Sequence, residues 1–510
     1  MISINNFYMS LKPKLLFWLN TAFIHFSLAY YLQSKMDADF FGIIDTNNKP
    51  KVFFKNQKLV DFKKIWFYHD RIKKNQQKID LDYLANFEKT YKINLWELAL
   101  NERFFYKYNR FYQFSKQEIL SILEQELKFF ETILDDIKPD YFLTYNPVLH
   151  HQKLFLEICR VKGIKILSSC RTGIDDQTVL VEDGATLDLD LNKKIDEFQI
   201  QISSKQDEKN NYDSDQKTWI QKRNVNFFDK LIGLKDYLFA SDNELTNSNF
   251  MYFGRTKSKV IKDSLLMEYK KNRNYNFLNK FSTLSPSLDN PFVYFPMNIN
   301  EEASLLHYAP YFTNQIEVIR HIAKSIPIDH MLYVKEHIAA GLRIWNDINY
   351  YKEIIDIPNV KLIHPKFDNN ILIKNSKLLI SIRGTSNLKA VQFGKPTITF
   401  GTQPYQIIPS VFEIDSLTSL PELIKNALKC KTDPMNYEKF KSIFNENIFS
   451  FPLNVYEVIR NQSLFSGNGV FSNIEISNEK MLEFLQKNEK LFSDSVETHL
   501  KIITSFHQTP

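Results

Sequence analysis

Short apolar runs recur along the chain, each closed by turn residues and followed by a segment of helical period. The clearest set lies at residues 359–401, NVKLIHPKFDNNILIKNSKLLISIRGTSNLKAVQFGKPTITFG. Residues 377–382 and 397–400 are β-branched and apolar and read as strands. The turn Gly384-Thr385-Ser386-Asn387 and a helix of about two turns separate them. This is a strand–loop–helix–strand unit of a parallel sheet. The turn sets a glycine, two hydroxyls and an amide at a helix start, where free N–H groups and the helix dipole suit an anion such as phosphate. Gly394-Lys395-Pro396 then ends the helix and opens the next strand. A plain crossover without ligand fits the same pattern equally well.

The same alternation predicts strands at 292–295, 330–334 and 359–363, and helices at 310–325 and 420–429. Towards the N-terminus, residues 39–45 form an apolar strand ending in Asp45, and 141–145 and 164–167 are further strands. Residues 80–135 have helical period, with Ile119, Leu120, Ile122, Leu123 and Leu127 on one side. Residues 15–32 (LLFWLNTAFIHFSLAYYL) are predicted as one buried or amphipathic first helix. Asn20, Thr21, His25 and Ser27 interrupt them, which argues against a membrane span but allows contact with a membrane surface. Residues 51–61 are read as a hairpin. The fold class is therefore α/β, with doubly wound domains at 1–190 and 286–430. A polar linker or loop at 191–217, a basic helical segment at 218–285 and C-terminal helices at 431–510 complete the chain.

The chain has 510 residues, too many for one ordinary core, and 44% hydrophobic with 24% charged residues is a globular composition. A net charge of +6 without a dense Lys/Arg run excludes a nucleic-acid groove and is compatible with an anionic substrate or membrane surface. Cys159, Cys170 and Cys430 have neither disulfide nor metal-site spacing, so a reducing, cytoplasmic setting is expected, and no metal.

Three loops after strands of the 286–430 domain should converge on one cleft: Asn298 to Glu302, Lys335-Glu336-His337, and Gly384 to Asn387. Amides, hydroxyls, an imidazole and a carboxylate together fit a nucleotide donor. A histidine placed like His337 is more often a structural hydrogen-bonder than a catalyst, and Glu302 reads also as an early-helix carboxylate favouring the dipole. In the N-terminal domain, His150, His151 and Arg171 fall beyond strand ends. No Walker loop, GxGxxG or nucleophile elbow is present.

The order FPMNINEEAS, YVKEH with Arg343 soon after, NVKLI and GTSNLKAVQFGKPTITFG resembles the capsular polysaccharide biosynthesis family. HFSLAYYLQSKMDADFFGIID and DYFLTYNPVLHHQKLFLEICRVKGIKIL extend the resemblance to the N-terminal half. That family is similar to bacterial capsule Kdo-transferases. The resemblance implies a GT-B-like pair of Rossmann-like domains facing a cleft, with acceptor bound by the first and nucleotide sugar by the second. It implies an inverting, metal-independent glycosyltransferase of surface-polysaccharide assembly. The donor would be a nucleotide sugar, in the Kdo type a CMP-linked acidic sugar, and the acceptor a glycan or glycolipid. No other cofactor is expected, and the place of work is the cytoplasm, at or near the inner membrane. Gly384, Thr385, Ser386, Asn387, Lys389, Lys335 and Arg343 would hold the nucleotide phosphates. His337 would stabilise the leaving group, Glu302 would serve in the cleft, and Asp45, His150 or His151 would act as base.

Several positions depart from the family pattern. Its first-motif histidine and glutamine are Asn298 and Asn300, its proline is Glu301, and the proline after the second-motif histidine is Ile338. In the third motif Asn387 replaces a glycine, and Lys389 replaces a glutamate that would accept hydrogen bonds from hydroxyls. Lysine only donates. A non-catalytic binding subunit, or another GT-B enzyme such as a nucleotide-sugar epimerase or polyol-phosphate transferase, are the alternatives these departures leave.

Overall fold

A computed structural model describes residues 12–74, 78–174, 176–193, 195–197, 249–342, 345–444, 448–465 and 474–507. The expected linker beyond residue 197, the helical segment before residue 249 and Arg343 lie outside the described residues. Two sheets organise the rest.

The first sheet contains β1 (Lys14–Leu19), β2 (Asp39–Ile44), β3 (Phe62–Phe67), β4 (Tyr141–Tyr145), β5 (Lys165–Arg171) and β6 (Gln177–Val181). The second contains β7 (Phe292–Pro296), β8 (Met331–Lys335), β9 (Val360–Ile363), β10 (Leu378–Ser381), β11 (Thr397–Thr399) and β12 (Val411–Glu413). A last strand, β13 (Ile448–Ser450), returns to the first sheet and pairs antiparallel with β6. The strand orders are β13-β6-β5-β4-β1-β2-β3 and β12-β11-β10-β7-β8-β9. All pairs are parallel except β5–β6 and β6–β13. Each sheet reverses direction around its first strand: β1 sits between β4 and β2, and β7 between β10 and β8. Loops leaving such a switch point diverge and open a crevice at the carboxyl ends of the strands. The architecture is GT-B-like, two doubly wound units facing a cleft.

Two N-terminal expectations are corrected. Residues 15–32 are not one helix but β1, a turn, and the helix Ile24–Gln33. A central parallel strand is buried on both faces and reads as an unbroken apolar run, indistinguishable by period from a buried helix. Asn20 breaks the run: its Oδ1 accepts the Ala22 N–H at 3.0 Å, and Phe23 adopts φ 58°. Residues 51–61 are not a hairpin. They continue the helix Asn48–Asn56 and then lead to β3.

The chain's end completes the first unit. Phe449, Phe451, Tyr456, Phe484, Leu485 and Phe492 share a core with Leu15, Phe17, Phe26 and Phe40. The final helix Asn478–His507 packs on the helix Ile24–Gln33, where the Tyr31 hydroxyl donates to the Leu485 carbonyl at 2.6 Å. No described helix is long and apolar enough to cross a membrane.

Candidate active site

The crevice at the switch point of the second sheet holds a cavity of about 560 Å³, a size suited to a small-molecule ligand. Glu302, Lys335, His337, Gly384, Thr385, Ser386 and Lys389 all line it, drawn from the loops after β7, β8 and β10. The helix Thr385–Gln392 begins at the cavity wall, with Thr385 exposed and Ser386 and Lys389 half-buried. It ends as the sequence predicts: Gly394 takes φ 66°, and the Gly394 and Lys395 N–H groups donate to Val391 and Ala390.

A polar lattice behind the cavity fixes the loops. Gln315 accepts the Asn298 N–H at 2.8 Å and donates to the carbonyl of Asn298 at 2.8 Å and to Asn300 Oδ1 at 2.5 Å. Asn300 donates to Asn346 Oδ1 at 2.8 Å, and Asn346 to Glu336 Oε2 at 2.6 Å. The Tyr351 hydroxyl also donates to Glu336, at 2.9 Å. Burial pushes the Glu336 carboxyl above its usual range, against these hydrogen bonds. The asparagines found where the resembled family has histidine and glutamine serve as amide rungs between loops, Asn298 Nδ2 donating to the Arg383 carbonyl and Asn300 Nδ2 to Asn346.

Lys335 is 3% exposed, and its Nζ donates to Asn369 Oδ1 at 2.7 Å. Burial, and secondarily Lys335, lower the His337 pKa to about 4, so the ring is neutral near pH 7. His337 Nδ1 accepts the Ala339 N–H at 3.2 Å, which places the ring proton on Nε2 as a donor. The site therefore offers a fixed ammonium, a neutral N–H donor, helix-start amides and a second lysine to one ligand. That set binds and stabilises negative charge.

Arg383 also lines the cavity and escaped the sequence reading, although it directly precedes Gly384. Its guanidinium lies 4.3 Å from the Tyr308 ring centre and donates to the Ala185 carbonyl of the first unit at 3.2 Å. Burial lowers its pKa from the ordinary value. Gly173, from the first unit, closes the wall opposite Thr385, and no local pattern marked it.

Four candidates are corrected. Asn387 is fully buried and does not line the cavity. Its Oδ1 accepts the Ser381 hydroxyl and its Nδ2 donates to the Ile398 carbonyl, so the side chain ties helix to sheet. Asp45 is not a solvent-facing base. Its carboxylate meets His69 at 3.0 Å and Trp18, His151 and Gln152 each at 3.1 Å. Burial would raise its pKa, but His151 and His69 hold it well below the usual range. His150 and His151 are not loop residues; they start the helix His150–Val161 and are wholly buried. Burial opposes charge on His150, yet Glu126 and Glu102 lift its pKa to about 10. None of these three lines the cavity. Arg171 is exposed at the end of β5.

Comparison with known proteins matches residues 256–411 to the capsule polysaccharide biosynthesis protein family. No curated protein matches the sequence. Among solved structures, the chain is similar to Thermosulfurimonas dismutans KpsC, a beta Kdo 2,7 transferase, at 13% identity, over 78% of this chain and 98% of that one, with a TM-score of 0.31. It is also similar to the UDP-GlcNAc 2-epimerase of Methanocaldococcus jannaschii, solved with UDP-GlcNAc and UDP, at 14% identity, over 84% and 99% of the two chains, with a TM-score of 0.26. A UDP-GlcNAc 2-epimerase from Neisseria meningitidis, bound to UDP-GlcNAc, gives 13% identity, 85% and 95% coverage, and a TM-score of 0.26.

Proposed function

Taking residues 256–411 as a capsule polysaccharide biosynthesis domain, we propose that the protein is a GT-B glycosyltransferase of surface-polysaccharide assembly. It moves a sugar from a nucleotide donor to a glycan or glycolipid acceptor. One observation carries this reading: within the matched segment, the chain after β7, β8 and β10 brings Glu302, Lys335, His337, Ser386 and Lys389 to one cavity at the sheet's switch point. The phosphates rest on the amides at the start of the helix Thr385–Gln392 and beside the two lysines, with no metal needed to balance them. His337 Nε2–H donates to the phosphate oxygen as the sugar–oxygen bond breaks. Glu302, half-buried on the same wall, takes over the hydroxyl-accepting role that Lys389 cannot perform. Two cationic side chains favour an acidic donor, and a CMP-linked sugar of the Kdo type fits the resemblance. Transfer is inverting, with the acceptor entering from the Gly173 side, and takes place in the cytoplasm at the inner membrane surface.

A thermal-shift screen with CMP, CDP, UDP and GDP tests the reading. Ligand at about 100 times its Kd stabilises by about 2.7 kcal/mol, a readily measured shift. No shift with any nucleotide overturns it. His337→Ala should then lower turnover by about 100-fold with little change in melting temperature, because the lost hydrogen bond matters in the transition state. A depressed melting temperature with normal specific activity would make the imidazole structural. Lys389 favours a second reading, a homologue that binds without turnover, since the family's glutamate is missing there.

A further inference from the structure

Beneath the carboxyl ends of the first sheet lies a polar cluster that the proposed transfer does not use. Glu126 comes from the middle of the helix Lys116–Ile137, and His150 and His151 from the first turn of the helix His150–Val161. All three are 0% exposed. One ligand atom from each lies within 4.8 Å of the others. His150 Nε2 is 3.1 Å from both carboxylate oxygens of Glu126. His151 Nδ1 is buried with no hydrogen-bond partner.

The outer contacts decide which nitrogens carry lone pairs. Glu102 Oε2 lies 2.8 Å from His150 Nδ1 and also accepts the His150 backbone N–H at 2.8 Å. Asp45 Oδ2 lies 3.1 Å from His151 Nε2. A carboxylate accepts only, so each of these two nitrogens holds the proton. Between His150 Nε2 and the Glu126 carboxylate there must then lie a positive charge, either a second proton on His150 or a cation. The proton leaves His151 Nδ1, a buried lone pair, without a partner, whereas a cation can engage all three groups. Each histidine thus has the carboxylate-backed arrangement that orients imidazoles toward a metal. The Tyr68 hydroxyl donates to Glu126 Oε1 and fixes the third ligand.

We propose that Glu126, His150 and His151 form a structural site for a divalent cation of the zinc class. Two imidazoles and one carboxylate are a zinc donor set, and bonds of about 2.0–2.1 Å set tetrahedral ligand atoms roughly 3.4 Å apart, within reach of the observed spacing. Complete burial of the ligands makes this a closed site rather than one open to substrate. The ion pins two helices together under β1 and β4, with water completing its shell.

The test uses the full chain, without an affinity tag of histidines, purified without chelator. Elemental analysis should find about one zinc per chain. Stripping the metal should lower the melting temperature, and added zinc should restore it. Cobalt substitution should give the visible ligand-field bands of a four-coordinate site, unchanged in Cys430→Ser, the half-buried thiol. His151→Gln keeps a donor for Asp45 but removes the inner lone pair, and should lose the metal. If that variant does not fold, the cobalt spectrum and metal count of the wild-type chain decide. Metal-free protein with a melting temperature indifferent to zinc, and no cobalt spectrum, would overturn the site and leave a proton on His150 as the bridging charge.

Discussion

Lysine and glutamate at position 389 make opposite demands on a ligand, because one donates and repels cations while the other accepts and repels anions. Lys389 is half-buried on the cavity wall. If it holds a phosphate, Lys389→Glu sets a carboxylate beside it, a clash of about 4 kcal/mol at 4 Å and moderate dielectric. Titration of CMP calorimetrically should show binding by the natural chain and none by the variant. The reverse pattern would mean that the family's glutamate had been restored to a site no longer used. Asn387 separates binding from stability two residues away. Asn387→Asp removes the donor to Ile398 and buries an unpaired charge, so it should destabilise by roughly 2–4 kcal/mol in urea melts. Thr385→Val, at the exposed helix start, should leave those melts within about 0.5 kcal/mol and weaken nucleotide binding instead. An Asn387→Asp chain that melts normally but no longer binds would return that side chain to the ligand.

Among the elements, those with local punctuation were legible. The β10–helix–β11 unit could be read because its strands are short and its helix is bounded by Gly384 and Gly394, and the loops after β7 and β8 followed from the strands before them. β1 was hidden because a strand buried on both faces carries no period of its own, and β13 because three residues pair with a strand far upstream. His150 and Glu126 are 24 residues apart, so no spacing rule joins them until two helices pack. The final helix carries a pH dependence of the same long-range kind. Burial lowers the His25 pKa to about 3, with a smaller push from His499, and burial lowers His499 to about 4. Each ring has a buried Nε2 without a partner, and the two face the same seam between the helices Ile24–Gln33 and Asn478–His507. Both folded values lie below the unfolded value of about 6.5. The unfolded chain thus binds more protons between them, and stability is complete above pH 6.5 and lost as the pH falls towards 4. Melts at pH 7, 5.5 and 4.5 should show His499→Leu losing less stability than the natural chain, by about one proton's worth of slope. Equal slopes would refute the seam as the acid-sensitive element.

At the scale of the molecule, the cleft exists only if the two units close on each other, and Gly173 marks how near they come. It has φ +81°, and a Cβ there would lie 3.1 Å from Thr385 Cγ2 across the cavity. Two other contacts hold the same seam: Lys153 Nζ donates to the His307 carbonyl at 2.9 Å, and the Tyr308 hydroxyl to Asn146. Gly173→Ala therefore acts in two ways. It strains the backbone by about 1–2 kcal/mol, and it pushes against the helix start where phosphate would bind. A double-mutant cycle separates them, because backbone strain is indifferent to residue 385 whereas the contact is not. Thr385→Ser removes Cγ2 and keeps the hydroxyl. In that background Gly173→Ala should cost less nucleotide affinity than in the natural chain, with a coupling of about 0.5–1 kcal/mol. Additive losses would mean that the glycine serves only its own turn, and that the first unit reaches the nucleotide through Arg383 and its Ala185 contact instead.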